Sequence, residues 1–75
     1  MVNIIVYMKV AEKIGKNIKE ARKFKGLTQK QVAESLNMTQ QQYSRFENGV
    51  FELNYSHLIS ICNLLDMTPN EIFDV

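Results

Sequence analysis

The sequence predicts an all-α domain, a compact five-helix bundle. Three observations carry this. Apolar residues recur at three- and four-residue spacing along most of the chain. Helix-start signatures stand at Thr28, Thr39, Asn54 and Thr68, and Gly26, Asn37 and Asn48-Gly49 fall where helices have to end. With 75 residues and 45% hydrophobic content, there is material for one core and one domain, expected over residues 10–75 behind an N-terminal extension of residues 1–9.

The first helix is expected from Val10 to about Lys25. Ala11, Ile14, Ile18 and Ala21 form its buried stripe, and Gly26 supplies the left-handed residue that ends it. Thr28 followed by Gln31 is a capping box, with Leu27 and Val32 as its hydrophobic staple. The pattern returns as Thr39 and Gln42, stapled by Met38 and Tyr43, and as Thr68 and Glu71, stapled by Met67 and Ile72, with Pro69 at the first helical position. Asn54 caps the fourth helix, with Leu53 and Leu58 as staple. That helix, Tyr55–Leu65, is apolar through Leu58, Ile59, Ile61, Cys62, Leu64 and Leu65 and is expected to be the central core helix. Ile4, Ile5, Val6 and Tyr7 are β-branched or aromatic and favour a short strand, which must pack on the body, pair with a second subunit or stay loose; Met8 is an alternative start of the folded unit.

Composition narrows the functional classes. A single cysteine, Cys62, allows no internal disulfide, and no apolar run approaches the ~20 residues of a membrane span. Met1–Val10 lacks a basic front end and a small-residue cleavage site, so a cytoplasmic protein without membrane contact is expected. Cys62 reads as a buried structural residue, and the four methionines as core filler. One His, His57, and one Cys make no usual zinc site, and no nucleophilic triad or Gly-rich phosphate loop is present. No enzyme, metal or cofactor is expected. The net charge of +1 conceals a division. Residues 1–45 hold nine basic and three acidic groups, whereas residues 46–75 hold five acidic groups and no Lys or Arg. One end is therefore electropositive, as a nucleic-acid face requires; a merely solvated lysine face on the first helix gives the same count.

The second and third helices are separated by a tight turn at Asn37, a residue that tolerates the left-handed conformation. Ala33 permits close crossing, and Val32, Leu36, Met38, Tyr43 and Phe46 face inward. Gln41, Ser44, Arg45 and Asn48 face away from the core, with Gln40 at the exposed N-terminal end of the third helix. The run from Leu27-Thr28-Gln29 to Phe46-Glu47-Asn48-Gly49, continued to Pro69-Asn70-Glu71-Ile72-Phe73, resembles the phage repressor and Cro-like helix-turn-helix family, also called the XRE family, over about residues 10–73.

The resemblance implies that the third helix lies in the major groove of double-stranded DNA. Gln40, Gln41 and Arg45 would then read bases, Gln toward adenine and Arg toward guanine, while Ser44 would reach a base or a phosphate. By the same resemblance Gln29 would bond a phosphate and brace Gln40. Lys30, Asn48 and the N–H groups opening the second helix would add to the phosphate grip. Arg22 and Glu47 would form a salt bridge, assigned to stability and not to base reading. Departures from the family pattern are Asn37 where Gly is usual, the apolar loop Val50-Phe51-Glu52, and Tyr43 for an aliphatic residue, whose hydroxyl is expected to reach an edge or water. The resemblance also implies a homodimer with recognition helices ~34 Å apart on a near-palindromic operator. Its surface is expected in the acidic C-terminal half, over the region of the fourth and fifth helices with Ile72, Phe73 and Val75, and with Ile4–Tyr7 joining in. The expected function is transcription regulation, most simply repression, with a restriction-modification controller or an antitoxin as variants. The alternative is a protein-interaction module with weak DNA binding, in which Val50-Phe51 and the N-terminal run hold a protein such as a toxin or anti-repressor.

Overall fold

Five helices follow one another: α1 Ile4–Phe24, α2 Gln29–Ser35, α3 Gln40–Glu47, α4 Tyr55–Leu65 and α5 Pro69–Phe73. The computed structural model describes residues 4–50 and 54–73, and no strand occurs among them. Ile4–Tyr7 are thus helical, and α1 runs unbroken across the boundary expected at residue 10. Extending an existing helix costs far less than starting one, and β-propensity yields readily to context. The 21 residues of α1 span about 31 Å at the helical rise of 1.5 Å per residue.

The helix starts are built as the local sequence dictates. Thr28 Oγ1 accepts from the Gln31 N–H (3.1 Å) while Gln31 Oε1 accepts from the Thr28 N–H (2.8 Å). Thr39 with Gln42 and Thr68 with Glu71 repeat the exchange, and Asn54 Oδ1 accepts from the His57 N–H at 2.8 Å. Each exchange satisfies N–H groups that the first helical turn leaves without a partner. The proposed staple residue Leu53 lies outside the described residues.

The helix ends share one device. The N–H groups of Leu27, Met38, Val50 and Met67 reach back five residues to the carbonyls of Arg22, Ala33, Arg45 and Cys62, at 2.9–3.1 Å. Each reversal turns on one left-handed residue: Gly26 (φ 72°), Asn37 (φ 55°), Gly49 (φ 71°) and Asp66 (φ 52°). Asp66 was not foreseen from the sequence; it is paired with Lys25. Asn37 sets the angle between α2 and α3, so Asn37→Ala should cost about 1 kcal/mol. A thermal melt should show Tm falling by about 4–8 °C.

The core is organised on α1, which packs against α3, α4 and α5, while α2 rests on α3. This corrects the expectation that α4 is central. Ile61, Cys62 and Leu65 of α4 are buried, but Tyr55 is 77% and Ile59 44% exposed, leaving an apolar outer face. Ile72 is also corrected. It is fully buried, and its carbonyl accepts from Asn17 Nδ2 of α1 at 2.9 Å, so it cannot serve a subunit surface. The Phe73 side chain and Val75 lie outside the described side chains.

Gly15 lets α1 and α3 meet. A Cβ at that position would lie 2.4 Å from the Phe46 carbonyl oxygen and 2.6 Å from that of Glu47, so only a hydrogen fits.

Candidate nucleic-acid interface

The inner face of α3 fixes what its outer face can offer. Tyr43 is fully buried and Phe46 is 3% exposed. Their rings stack with centroids 6.3 Å apart, and Phe46 meets His57 of α4 edge-on at 5.7 Å. With that side anchored, Gln40, Gln41, Arg45 and Asn48 stand exposed and Ser44 half-buried. Gln40, Gln41, Ser44 and Arg45 line one open concavity together with Gln29 from the first turn of α2. Lys30 is exposed on α2 but does not line it. Asn48, at the C-terminal cap of α3, also lies outside it and approaches Ser44 Oγ through Nδ2 at 3.4 Å. The concavity therefore presents two primary amides, a hydroxyl and a guanidinium from one helix, plus a third amide from its neighbour. Those are the groups whose donor and acceptor pairs match base edges in the major groove.

Behind this face lies a buried charge pair. Arg22 of α1 and Glu47 of α3 are 8% and 6% exposed. Arg22 Nε donates to Glu47 Oε2 at 2.5 Å and Nη2 to Oε1 at 3.0 Å; Nη1 donates to the Leu27 carbonyl at 2.8 Å. The bidentate fork ties α1 to α3, and the third bond ties both to the loop before α2. Burial pushes the Glu47 carboxyl up, but the Arg22 guanidinium, Tyr43 and Gln29 more than reverse this and hold it below its ordinary range. The Arg22 guanidinium is held above its ordinary range chiefly by its bond to Glu47. Tyr43 corrects its sequence reading. Its hydroxyl reaches neither an edge nor water but is enclosed beside the Arg22–Glu47 pair. Burial, with the neighbouring carboxylate, pushes its phenol far above the usual range.

Gln29 makes a contact beyond those expected of it. Its Nε2 donates to Glu47 Oε1 at 3.1 Å, so its amide is also held from behind by the charge pair. Nothing in the sequence marks this contact, which joins residues 18 positions apart on different helices. Gly15 was missed for the same reason.

The basic character of the chain's first half is displayed at the surface. Lys9, Lys13, Lys16, Lys19 and Lys23 are exposed along α1, and Lys30 along α2. Among the described residues no helix is long and apolar enough to cross a membrane.

The chain is similar to known proteins. A family model described as a helix-turn-helix domain matches residues 15–75. An uncharacterised HTH-type transcriptional regulator of Bacillus subtilis (strain 168), YqaE, is 42% identical over 52 residues, which are 69% of this chain and 45% of the relative. An uncharacterised HTH-type transcriptional regulator of Rickettsia conorii is 30% identical over 69 residues, 92% of this chain and 55% of the relative. The chain thus spans about half the length of these curated relatives. Among solved structures, the clp gene regulator ClgR from Corynebacterium glutamicum superposes with a TM-score of 0.81 at 25% identity, covering 87% of this chain and 83% of that one.

Proposed function

Because the chain belongs to the helix-turn-helix family, of the XRE type, we propose that it binds double-stranded DNA sequence-specifically and regulates transcription. One observation carries the reading: Gln40, Gln41, Ser44 and Arg45 converge with Gln29 on a single open concavity, on a helix whose other side is locked into the core. In this reading α3 enters the major groove, Gln40, Gln41 and Arg45 read base edges, and Ser44 completes the set. Lys30 and Asn48 meet phosphates at its border, and the lysines of α1 add a salt-sensitive attraction. The two relatives described as transcriptional regulators support the regulatory role. Repression by occluding a promoter is the simplest mechanism.

One such module reads few base pairs, and two related by a two-fold axis read a near-palindromic site. The exposed apolar face of α4, with Tyr55 and Ile59 beside Leu58, Met67 and Pro69, supplies a surface suited to a homodimer. The same face is the observation that favours the second reading, a protein-binding module with weak DNA affinity. Val50, 68% exposed, belongs to that reading as well; Phe51 lies outside the described residues.

The test is fluorescence anisotropy with the duplex upstream of the protein's own gene, beside a scrambled duplex, at two salt concentrations. The proposal expects at least ~10³-fold preference for the upstream duplex. Weak binding to both that vanishes with salt would reduce the activity to phosphate contact and move the protein-binding reading ahead. Arg45→Ala should weaken specific binding by ~1–3 kcal/mol. Its thermal melt should match the wild type, because the Arg45 side chain is exposed. An unchanged affinity would remove Arg45 from the reading set.

A further inference from the structure

Phe24, the last residue of α1, is 92% exposed. It edges a groove of about 410 Å³ where the end of α1 meets the turn between α4 and α5, and Ala21, Leu65 and Met67 give that groove an apolar lining. A single apolar side chain on a surface is ordinary, whereas an aromatic ring beside an apolar concavity of this size marks a binding surface. The border is acidic. Asp66 and Glu71 line the groove, and Glu20 is exposed one turn before Phe24 on the same side of α1. Lys25 is the one cation among the lining residues, and it is paired with Asp66. Lys23 precedes Phe24 but lies about 100° round the helix from it. The groove shares no lining residue with the concavity on α3.

We propose that this groove is a docking site for a second, different protein, one that presents an arginine beside an apolar side chain. The apolar side chain enters between Leu65 and Met67, and the guanidinium lies over the Phe24 ring and pairs with Glu71 and Glu20. Each feature selects that chemistry. The carboxylates around the groove repel phosphate, so nucleic acid is not the occupant. An aromatic face in water attracts a cation, and a guanidinium stacks on it more readily than an ammonium and bonds a carboxylate through two N–H groups. A second copy of this chain does not supply that group. Its two arginines are Arg22, buried in the pair with Glu47, and Arg45, which lines the α3 concavity. The proposal is independent of DNA reading; where both hold, partner and duplex occupy separate surfaces.

The test pans random short peptides displayed on phage against the full chain. The selected peptides are then synthesised and titrated against wild type, Phe24→Ser, Glu71→Gln and Arg45→Ala. Phe24→Ser leaves the core untouched, because the side chain is exposed. Glu71→Gln removes a charge while keeping an acceptor for the Thr68 N–H. Thermal melts check that both variants fold as the wild type does. The selected peptides should carry an arginine close to an apolar side chain. They should bind Phe24→Ser at least about 10-fold more weakly than wild type, and Glu71→Gln about 2- to 5-fold more weakly. Arg45→Ala should bind them as wild type does, and changing the peptide's arginine to glutamate should abolish binding. Peptides that bind Phe24→Ser as well as wild type, Phe24-dependent peptides without arginine, or a selection that returns no sequence preference would each overturn the proposal. Sedimentation equilibrium showing self-association that Phe24→Ser abolishes would put a second copy in the groove and overturn it as well.

Discussion

Replacing Gly15 with alanine should destabilise the domain by about 3 kcal/mol, lowering Tm by more than about 10 °C. The sign of this effect is informative. Gly15 lies inside a 21-residue helix, where alanine ordinarily gains about 0.5–1 kcal/mol over glycine. Local propensity therefore predicts a more stable protein. The tertiary contact predicts the reverse, because the added methyl would sit 2.4 Å and 2.6 Å from two backbone oxygens of α3 that have no rotamer with which to yield. The only relief is separation of α1 from α3. That separation would strain the Arg22–Glu47 fork, which spans the same two helices. It would also tilt the face bearing Gln40, Gln41 and Arg45. On the DNA-reading proposal, specific binding by Gly15→Ala should then fall even below its melting temperature, whereas the salt-sensitive attraction to scrambled DNA assigned to the exposed lysines should persist. A variant at least as stable as wild type would mean that α1 and α3 are not packed this closely.

The residues that were legible in the sequence are those whose bonds are made within a few positions. Thr28, Thr39 and Thr68 bond partners three residues away, and the turn at Asn37 closes between Ala33 and Met38. Such geometry is set by neighbours and survives any tertiary arrangement. The outward set on α3 was legible too, since burial of Tyr43 and Phe46 at helical spacing leaves Gln41 and Arg45 exposed and Ser44 half-buried at the margin. What stayed hidden depends on other helices. Gly15 looks like any helical glycine until the backbone of α3 arrives over it. The amide of Gln29 is a polar group on an exposed-looking turn until Glu47 claims one end of it. Tyr43 carries a hydroxyl that the sequence would send toward water, yet the site where it falls is sealed by the charge pair. Ile4–Tyr7 were misjudged because β-branched residues at a chain end cannot be told from a strand without knowing that a long helix continues through them. Asp66 ends α4 in a conformation usually left to glycine or asparagine, and its pairing with Lys25 joins residues 41 positions apart.

Arg22→Ala is expected to be costlier still, about 3–5 kcal/mol near neutral pH. Total stability for 75 residues is on the order of 4–11 kcal/mol, so this variant approaches unfolding at ambient temperature. The cost does not measure the worth of the ion pair. It arises because Glu47, whose side chain is 1% exposed, would keep its charge with only the neutral dipoles of Gln29 and Tyr43 nearby. The pH dependence separates these meanings. In the wild type the folded-state pKa of Glu47 lies below the unfolded value near 4.5. The folded form therefore binds the proton less readily, and the stabilisation is complete above that value and is lost as pH falls through the folded pKa. In Arg22→Ala burial acts without its main opponent, so the folded-state pKa should rise above the unfolded one. Acid then relieves the variant by neutralising the stranded carboxylate in the same range where the wild type weakens. Urea unfolding at pH 7, 5.5 and 4 should show the two stabilities converging as pH falls. Parallel curves would assign the loss to missing arginine packing instead. Arg22→Met/Glu47→Leu completes the argument, since replacing both charges with apolar groups is often neutral or stabilising. If that variant folds as firmly as wild type and keeps its helices, the ion pair is not retained for stability.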